Sequence, residues 1–270
     1  MWGRASSESR GSERLAARRR LRRRRALIAL IILFIILCAG IVYELQQSAV
    51  RIARVEVYGA DASLAAYARE AMQGSYLGII PRDSIFFFPA SRIRSNILAD
   101  HPGIAAVSIF RNGLTGISIK PDERAPVARW CGFAPTEGVE EYCYVFDASG
   151  YVFAAATSSE TINSFSLYAP LVGETLEPLR ATIAQVDRLP AAFDFARQLD
   201  TLGSSVTHLV LRGDEVDDYL TSGTRITYVL GSEQNAFTAL VSSRENINLA
   251  DGSLEYVDLR FDGKVYLKKK

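Results

Sequence analysis

Ile97–Trp130 reads ILADHPGIAAVSIFRNGLTGISIKPDERAPVARW. Its centre is two alternating apolar runs, Ile104–Arg111 and Leu114–Lys120, set about Asn112-Gly113. Alternation at every second residue turns one side of each run toward a core, and Asn-Gly accepts the positive φ angles of a tight reversal, so the stretch predicts a β-hairpin. Just upstream, Ser91 opens a helix with Ile93, Ile97 and Leu98 on its inner face. His101-Pro102 closes it, the imidazole standing where it can bond the last carbonyls. Further back, Arg51–Tyr58 alternates through Ile52, Val55 and Val57 as a strand, and Asp61 or Ser63 caps a helix whose Leu64, Tyr67, Ala68 and Ala71 share a face before Gly74. Between the two helices lies Tyr76–Pro89, apolar but irregular, with Pro81 and Phe86-Phe87-Phe88. The order over residues 51–120 is strand, helix, helix, strand, strand.

Ahead of this block, residues 18–43 read RRRLRRRRALIALIILFIILCAGIVY. Ala26–Tyr43 holds 18 residues without a charge, and as a helix it is roughly 27 Å long, close to the thickness of a bilayer's hydrocarbon core. The arginines at 22–25 can snorkel to headgroups and Tyr43 can sit in the opposite interface. Residues 1–25 carry ten Arg against Glu8 and Glu13, whereas residues 26–270 carry 21 Lys+Arg against 28 Asp+Glu. That asymmetry keeps residues 1–25 in the cytoplasm as a basic tail and exports the chain beyond the span. The apolar run exceeds the 7–15 residues usual in a cleaved signal peptide, Cys38-Ala39-Gly40 is a poor exit site inside it, and Leu37 stands where a lipoprotein needs a small residue before its Cys. An uncleaved signal anchor is expected. The arginines resemble a nucleic-acid arm, but beside a membrane span their partner is anionic lipid.

The exported part nets minus seven, which excludes nucleic acid as a bulk-charge partner. From Asp122 onward short strand-like runs succeed one another: Ala128–Cys131, Tyr142–Phe146, Tyr151–Phe153 after the Asp147-Ala148-Ser149-Gly150 turn, Val206–Leu211, Asp218–Leu220 and Arg225–Leu230. Pro190–Leu202, with Phe193, Ala196, Arg197 and Leu199 at helical spacing, and Gln234–Ser242 read as helices, and Leu254–Leu267 closes the chain. The expectation is an α+β protein: a transmembrane helix (26–43), a β-α-α-β-β domain (50–121), and an antiparallel β-rich domain with two helices (122–270).

Nothing in this pattern carries catalysis. His208 lies in an alternating strand, and a sortase-like set of Cys131, His208 and Arg212 has no local signature to support it. The acidic cluster Asp214, Glu215, Asp217, Asp218 lacks the spacing and glycine of a calcium loop and reads as a solvated turn. There is no Gly-rich phosphate loop, metal-ligand motif or Ser elbow, so no cofactor, metal or small-molecule substrate is expected. Cys131 and Cys143 flank Gly132–Tyr142 between two strand-like runs. Either they face each other across a hairpin and bond, contributing about 3 kcal/mol by the chain-entropy model, or they are two buried free thiols.

A strand-helix-helix-strand-strand unit directly after a membrane anchor resembles a POTRA domain. More closely, VRIARVEVYGA (50–60) together with Ile97–Trp130 resembles the POTRA domain of the FtsQ/DivIB family of bacterial cell-division proteins, with the family's features at Pro102, Arg111, Glu123-Arg124, Pro126, Ala128 and Trp130. The resemblance extends through YCYVFDASGYVF (142–153) to Tyr256-Val257-Asp258-Leu259-Arg260-Phe261, the family's closing strand, with Phe261 where a Tyr is usual. It implies a non-enzymatic single-pass protein of the bacterial plasma membrane at the division septum. Its partners would be small bitopic proteins of the FtsB/DivIC and FtsL kind, and it would help regulate septal wall synthesis. Two alternatives stand beside it: a POTRA-containing membrane-anchored protein of polypeptide transport or chaperoning, and a membrane-tethered exported hydrolase.

The expected partner site is the closing strand, offered to a partner segment by β-augmentation. Strand alternation puts Tyr256, Asp258, Arg260 and Asp262 on one face and Val257, Leu259 and Phe261 on the other. Phe261 leaves the core as an aromatic anchor, Arg260 pairs with a partner carboxylate, and Gly263 and Lys264 complete the site; the competing account has Arg260 bonding an internal carboxylate and Phe261 plugging the core. The charge asymmetry makes a first prediction. Protease added outside spheroplasts digests nearly everything beyond Tyr43 once the folded domains are loosened, while protection of the carboxyl end with exposure of residues 1–25 would reverse the topology.

Overall fold

The computed structural model of the chain describes residues 8–59, 62–135, 142–156, 161–173, 177–261 and 263–270. It is a mixed α+β structure in which helix α1, Glu8–Leu45, carries the arginines and the apolar run on one continuous rod. Leu21–Leu45 is long and apolar enough to cross a membrane, and no other helix among the described residues is. The chain divides into two compact units, residues 1–100 with 106–121, and residues 101–105 with 122–270.

In the first unit β1 (Arg54–Val57) leads through α2 (Leu64–Ala71), a small hairpin of β2 (Ser75–Tyr76) and β3 (Ile80–Pro81), and α3 (Ala90–Asp100) to β4 (Ile104–Arg111) and β5 (Gly116–Glu123). The three long strands form a sheet in the order β1-β5-β4, with β1 parallel to β5. The central strand buries Ile117 and Ile119, and both helices turn apolar stripes inward: Leu64, Ala65, Ala68 and Ala71 from α2, Ile93 and Ile97 from α3. Three alanines on α2 let its backbone lie close to its neighbours. Ser63 holds the N-cap position of α2 but its side chain makes no capping bond there, while Asp61 lies outside the described residues. The Asn112-Gly113 reversal is present, but as a four-residue loop closed by the Asn112 N–H on the Gly116 carbonyl (2.8 Å), so β5 starts two residues later than the apolar pattern suggests and runs on to Glu123. Asn112 spends its amide on Glu56 (3.0 Å) of the neighbouring strand end.

The second unit is one nine-stranded sheet. Its strands are β6 (Ala128–Gly132), β7 (Tyr144–Phe146), β8 (Val152–Ala155), β9 (Ser166–Tyr168), β10 (Val206–Arg212), β11 (Glu215–Leu220), β12 (Arg225–Val229), β13 (Leu254–Asp258) and β14 (Tyr266–Lys269), in the order β14-β13-β12-β11-β10-β9-β6-β7-β8. Helices α4 (Leu189–Asp200) and α5 (Glu233–Ser242) bury Phe193, Phe195, Leu199, Ala236 and Leu240 in its core. The expected antiparallel sheet is corrected here: β6 with β9, β9 with β10, and β12 with β13 run parallel. For the last two pairs the physical reason lies in the connections. A strand reached through a helix returns to the same end of the sheet and must run parallel to its predecessor, as α4 does before β10 and α5 before β13. The three residues of β9 are too short to show a period, which is why the sequence pattern passes over them.

Two motifs distant in sequence meet in this unit. The Arg124 guanidinium pairs with Asp147, donates to the Pro102 carbonyl (3.0 Å) and lies 4.2 Å from the centre of the Tyr151 ring. Asp147 in turn accepts from the Ser149 N–H (2.9 Å), the Ser149 hydroxyl (2.6 Å) and the Tyr151 N–H (3.2 Å), which shapes the β7–β8 turn. Burial works against the Asp147 charge, but the Ser149, Arg124 and Tyr151 donors outweigh it and hold the carboxyl below its usual range. Nearby, Ala128 sits opposite Phe146, and the buried Trp130 indole donates to the Ala169 carbonyl (2.9 Å), joining β6 to the segment after β9.

Asp214 of the acidic cluster lies in an exposed turn as expected, but the rest of the cluster is strand and not a solvated turn. Asp217 and Asp218 are both buried, because adjacent residues of β11 point to opposite faces of the sheet. Asp217 meets Arg212 and accepts from the Thr227 hydroxyl (2.6 Å). Asp218 points into the core beside Tyr228 and Glu233, where burial first and then the Asp217 and Glu233 charges push its carboxyl well above the usual range. A carboxyl raised in this way stabilises the fold below the ordinary carboxylate range, and the contribution is lost as pH rises from there toward the folded value. Asp218→Asn is therefore expected to melt at a higher temperature than the parent at pH 7, with the gap closing as pH falls to about 4. Melting curves in which the gap is independent of pH would refute the raised carboxyl.

Candidate partner-binding edge

The last two strands build the edge of the large sheet. In β13, Leu254 and Val257 enter the core, while Tyr256 and Asp258 turn to the other face. The strand stops at Asp258, whose carboxylate accepts the backbone N–H of Arg260 (3.1 Å), an Asx turn that competes with further extension. The alternation expected to run to residue 262 is therefore broken after Leu259, which is buried and donates its N–H to the Thr227 carbonyl (2.8 Å). Leu259 and Phe261 do not share an inner face: Phe261 is 52% exposed. Gly263 takes φ +67° in a turn in which the Lys264 N–H meets the Phe261 carbonyl (3.1 Å), and the exposed strand β14 then returns antiparallel to β13. Asp262 lies outside the described residues.

Each expected site residue now has a place. Phe261 packs edge-on against Tyr266 (5.3 Å between ring centres), and both rings face solvent at the start of β14. Lys264 is exposed beside them. Tyr256 is half-buried, with the Arg225 guanidinium 5.7 Å from its ring centre. Arg260 is taken up within the chain: it grips both carboxylate oxygens of Asp258 (3.0 and 2.7 Å) and reaches Glu215 (2.7 Å). The Asp258 and Glu215 bonds raise the guanidinium's pKa, and the Arg260 bond is the main reason the Asp258 carboxyl lies below its usual range. Arg260 thus ties the turn after β13 to β11, while the Phe261–Tyr266 ring pair stays exposed.

The edge itself is chemically simple. Strand β14 pairs with β13 on one side and ends the sheet, so its outer backbone groups face no other strand among the described residues. Lys268 reaches across to Glu255 (2.7 Å) on the neighbouring strand. A shallow polar hollow of about 430 Å³ between α5 and the β13–β14 turn, bordered by Asn235, Thr238, Ser242 and Gly263, adjoins the edge.

The sheet face opposite the helices holds what the sequence pattern did not reveal. Register places Arg129, Ser166, His208, Tyr219, Arg225 and Tyr256 in one row across β6, β9, β10, β11, β12 and β13. His208 stacks on Tyr219 (4.4 Å, 14°) and meets the edge of Tyr168 (5.7 Å). Cys131 and Cys143 form a disulfide one position beyond the paired Trp130 and Tyr144, and Tyr168 and Val210 pack beside it. With its sulfur bonded, Cys131 offers no thiolate, and Arg212 is engaged by Asp217, so the Cys131, His208, Arg212 set does not assemble as a nucleophilic site.

No protein-family model matches the chain, and no curated protein shows a significant match to it. The geometry of the edge makes the next prediction. Arg260→Glu places a third carboxylate between Asp258 and Glu215 and lowers the melting temperature, whereas Phe261→Ala changes stability by no more than about 0.5 kcal/mol, as befits an exposed ring. Calorimetry of the two variants decides it, and a strong loss of stability in Phe261→Ala would mean that the ring is structural.

Proposed function

We propose that this chain is a non-enzymatic, single-pass scaffold of the bacterial division machinery, of the FtsQ/DivIB kind. In this reading α1 anchors it in the plasma membrane with the basic tail in the cytoplasm, and the two exported units work at the septum. The first unit serves as a POTRA domain; the second recruits small bitopic partners of the FtsB/DivIC and FtsL kind and helps regulate septal wall synthesis.

The observation that carries the proposal is the open edge β14, headed by the solvent-facing pair Phe261 and Tyr266. An edge strand presents a ladder of backbone donors and acceptors to an extended segment of a partner, and exposed aromatics beside it supply side-chain anchors. The β-α-α-β-β order with β1 parallel to β5 and the apolar helix ahead of it are in keeping with the same reading.

The test is co-purification of the full chain from bacterial membranes. The parent chain brings down small bitopic coiled-coil proteins, and Phe261→Ala and Tyr266→Ala each weaken capture at least about tenfold, equivalent to roughly 1.4 kcal/mol, while keeping cooperative melting. Full-strength capture by both variants would remove the edge from the account; failure of the parent to capture any such protein would remove the scaffold.

A further inference from the structure

We propose that the Tyr76–Phe88 loop of the first unit inserts its tip into the membrane beside α1, so that the unit is seated on lipid as well as tethered to it. The inference rests on the reading that α1 spans a membrane.

The tip is built as if its apolar side chains were needed. Leu77 and Gly78 form the reversal between β2 and β3, closed by the Ile79 N–H on the Tyr76 carbonyl (3.0 Å), and both adopt positive φ (+51° and +74°). Such a turn ordinarily takes Asn-Gly or Asp-Gly, because a branched apolar residue is strained there. This chain has Leu, and that Leu is 97% exposed, with Ile79, Phe86 and Phe87 each about half exposed in the same loop. A strained backbone that displays an apolar side chain to solvent gains nothing for the folded core.

The charges nearest the tip are engaged within the chain. Asp83 is bound by Arg51 (2.7 Å), and Arg82 lies over the Tyr76 ring (5.3 Å). The loop is also fastened to the segment that leaves the helix: Ile52 donates to the Asp83 carbonyl (2.7 Å), Ile85 donates to the Val50 carbonyl (3.0 Å), and the Ile85 side chain is buried. Phe86 then reaches back along α1 and lines one apolar cleft of about 460 Å³ with Ile36, Leu37, Gly40 and Ile41. At a rise of about 1.5 Å per residue these positions lie roughly 3–10 Å below Tyr43, inside the apolar part of a bilayer that α1 spans. The face that meets Phe86 is thus continuous with the lipid-facing surface of the helix. The occupant is acyl chain, in the manner of an interfacial segment with aromatic and aliphatic anchors.

The test uses the full chain, one copy per lipid nanodisc, with a nitroxide on a single thiol. Cys38 is the free cysteine of the parent chain and reports on the span itself; Cys38→Ser combined with Leu77→Cys, Phe86→Cys or Ala66→Cys moves the label to the loop or to the exposed surface of α2. The expected result is that labels at 38, 77 and 86 collide readily with oxygen and poorly with a water-soluble nickel complex, and that the label at 66 does the reverse. If 38 reads as membrane while 77 and 86 are either as open to nickel as 66 or shielded from nickel and oxygen alike, as under a protein partner, the span stands and the inserted loop is refuted. If 38 reads as aqueous, the spanning reading falls and the inserted loop falls with it.

Discussion

The second unit depends on one constraint: both of its helices must return the chain to the same face of one sheet. Strands β9, β10 and β12 point the same way, and each helical crossover steps in the same direction across the sheet. A crossover of fixed hand therefore puts α4 and α5 side by side, and the core forms between them and one side of the sheet. Among the described residues of this unit, no helix lies on the other side. That single asymmetry explains why apolar residues of β10–β13 alternate with Arg, Tyr, His and Asp rather than with a second apolar set.

On a face without helices, burial has to come from the side chains themselves. Arg212 lies on Asp217 and Arg260 on Asp258, so two carboxylates are buried beneath guanidinium groups rather than beneath another layer of structure. Charge-assisted bonds of this kind offset the loss of water around the acids, which unpaired carboxylates in the same places would not survive without neutralising. For Asp218, one residue from Asp217 but on the core side, burial instead pushes the carboxyl well above its usual range. Adjacent residues of one strand thus take opposite solutions to the same problem of burying an acid.

The first unit solves a different problem, that of folding directly after an apolar helix. Its segment 50–52 is bonded to residues 83–85, so the irregular loop between α2 and α3 is anchored where the chain leaves α1. Aromatic side chains that would be a liability on a freely soluble domain are concentrated there. The apolar helix and the apolar loop are consequently fastened to each other, although they stand far apart in the sequence.

What the sequence alone determined is whatever depends on neighbours a few residues away. The uncharged run after the arginines, the helical spacings of α2 to α5, the hairpin about Asn112-Gly113 and the Asp147–Gly150 turn are all visible in local period and turn chemistry. Even there the limits show, since the hairpin loop is longer than Asn-Gly suggests. Tertiary structure decided what depends on distant partners: the parallel pairings, the insertion of β9 between β6 and β10, and the meeting of Arg124 with Asp147. It also decided the candidate site. Alternation carried Tyr256 and Asp258 to the expected face, but the bond from the Arg260 N–H to Asp258 ended the strand, brought Arg260 to Glu215 and left Phe261 beside Tyr266. A period of two describes a strand only as long as the strand continues, and where it stops is set by a side chain competing for the backbone.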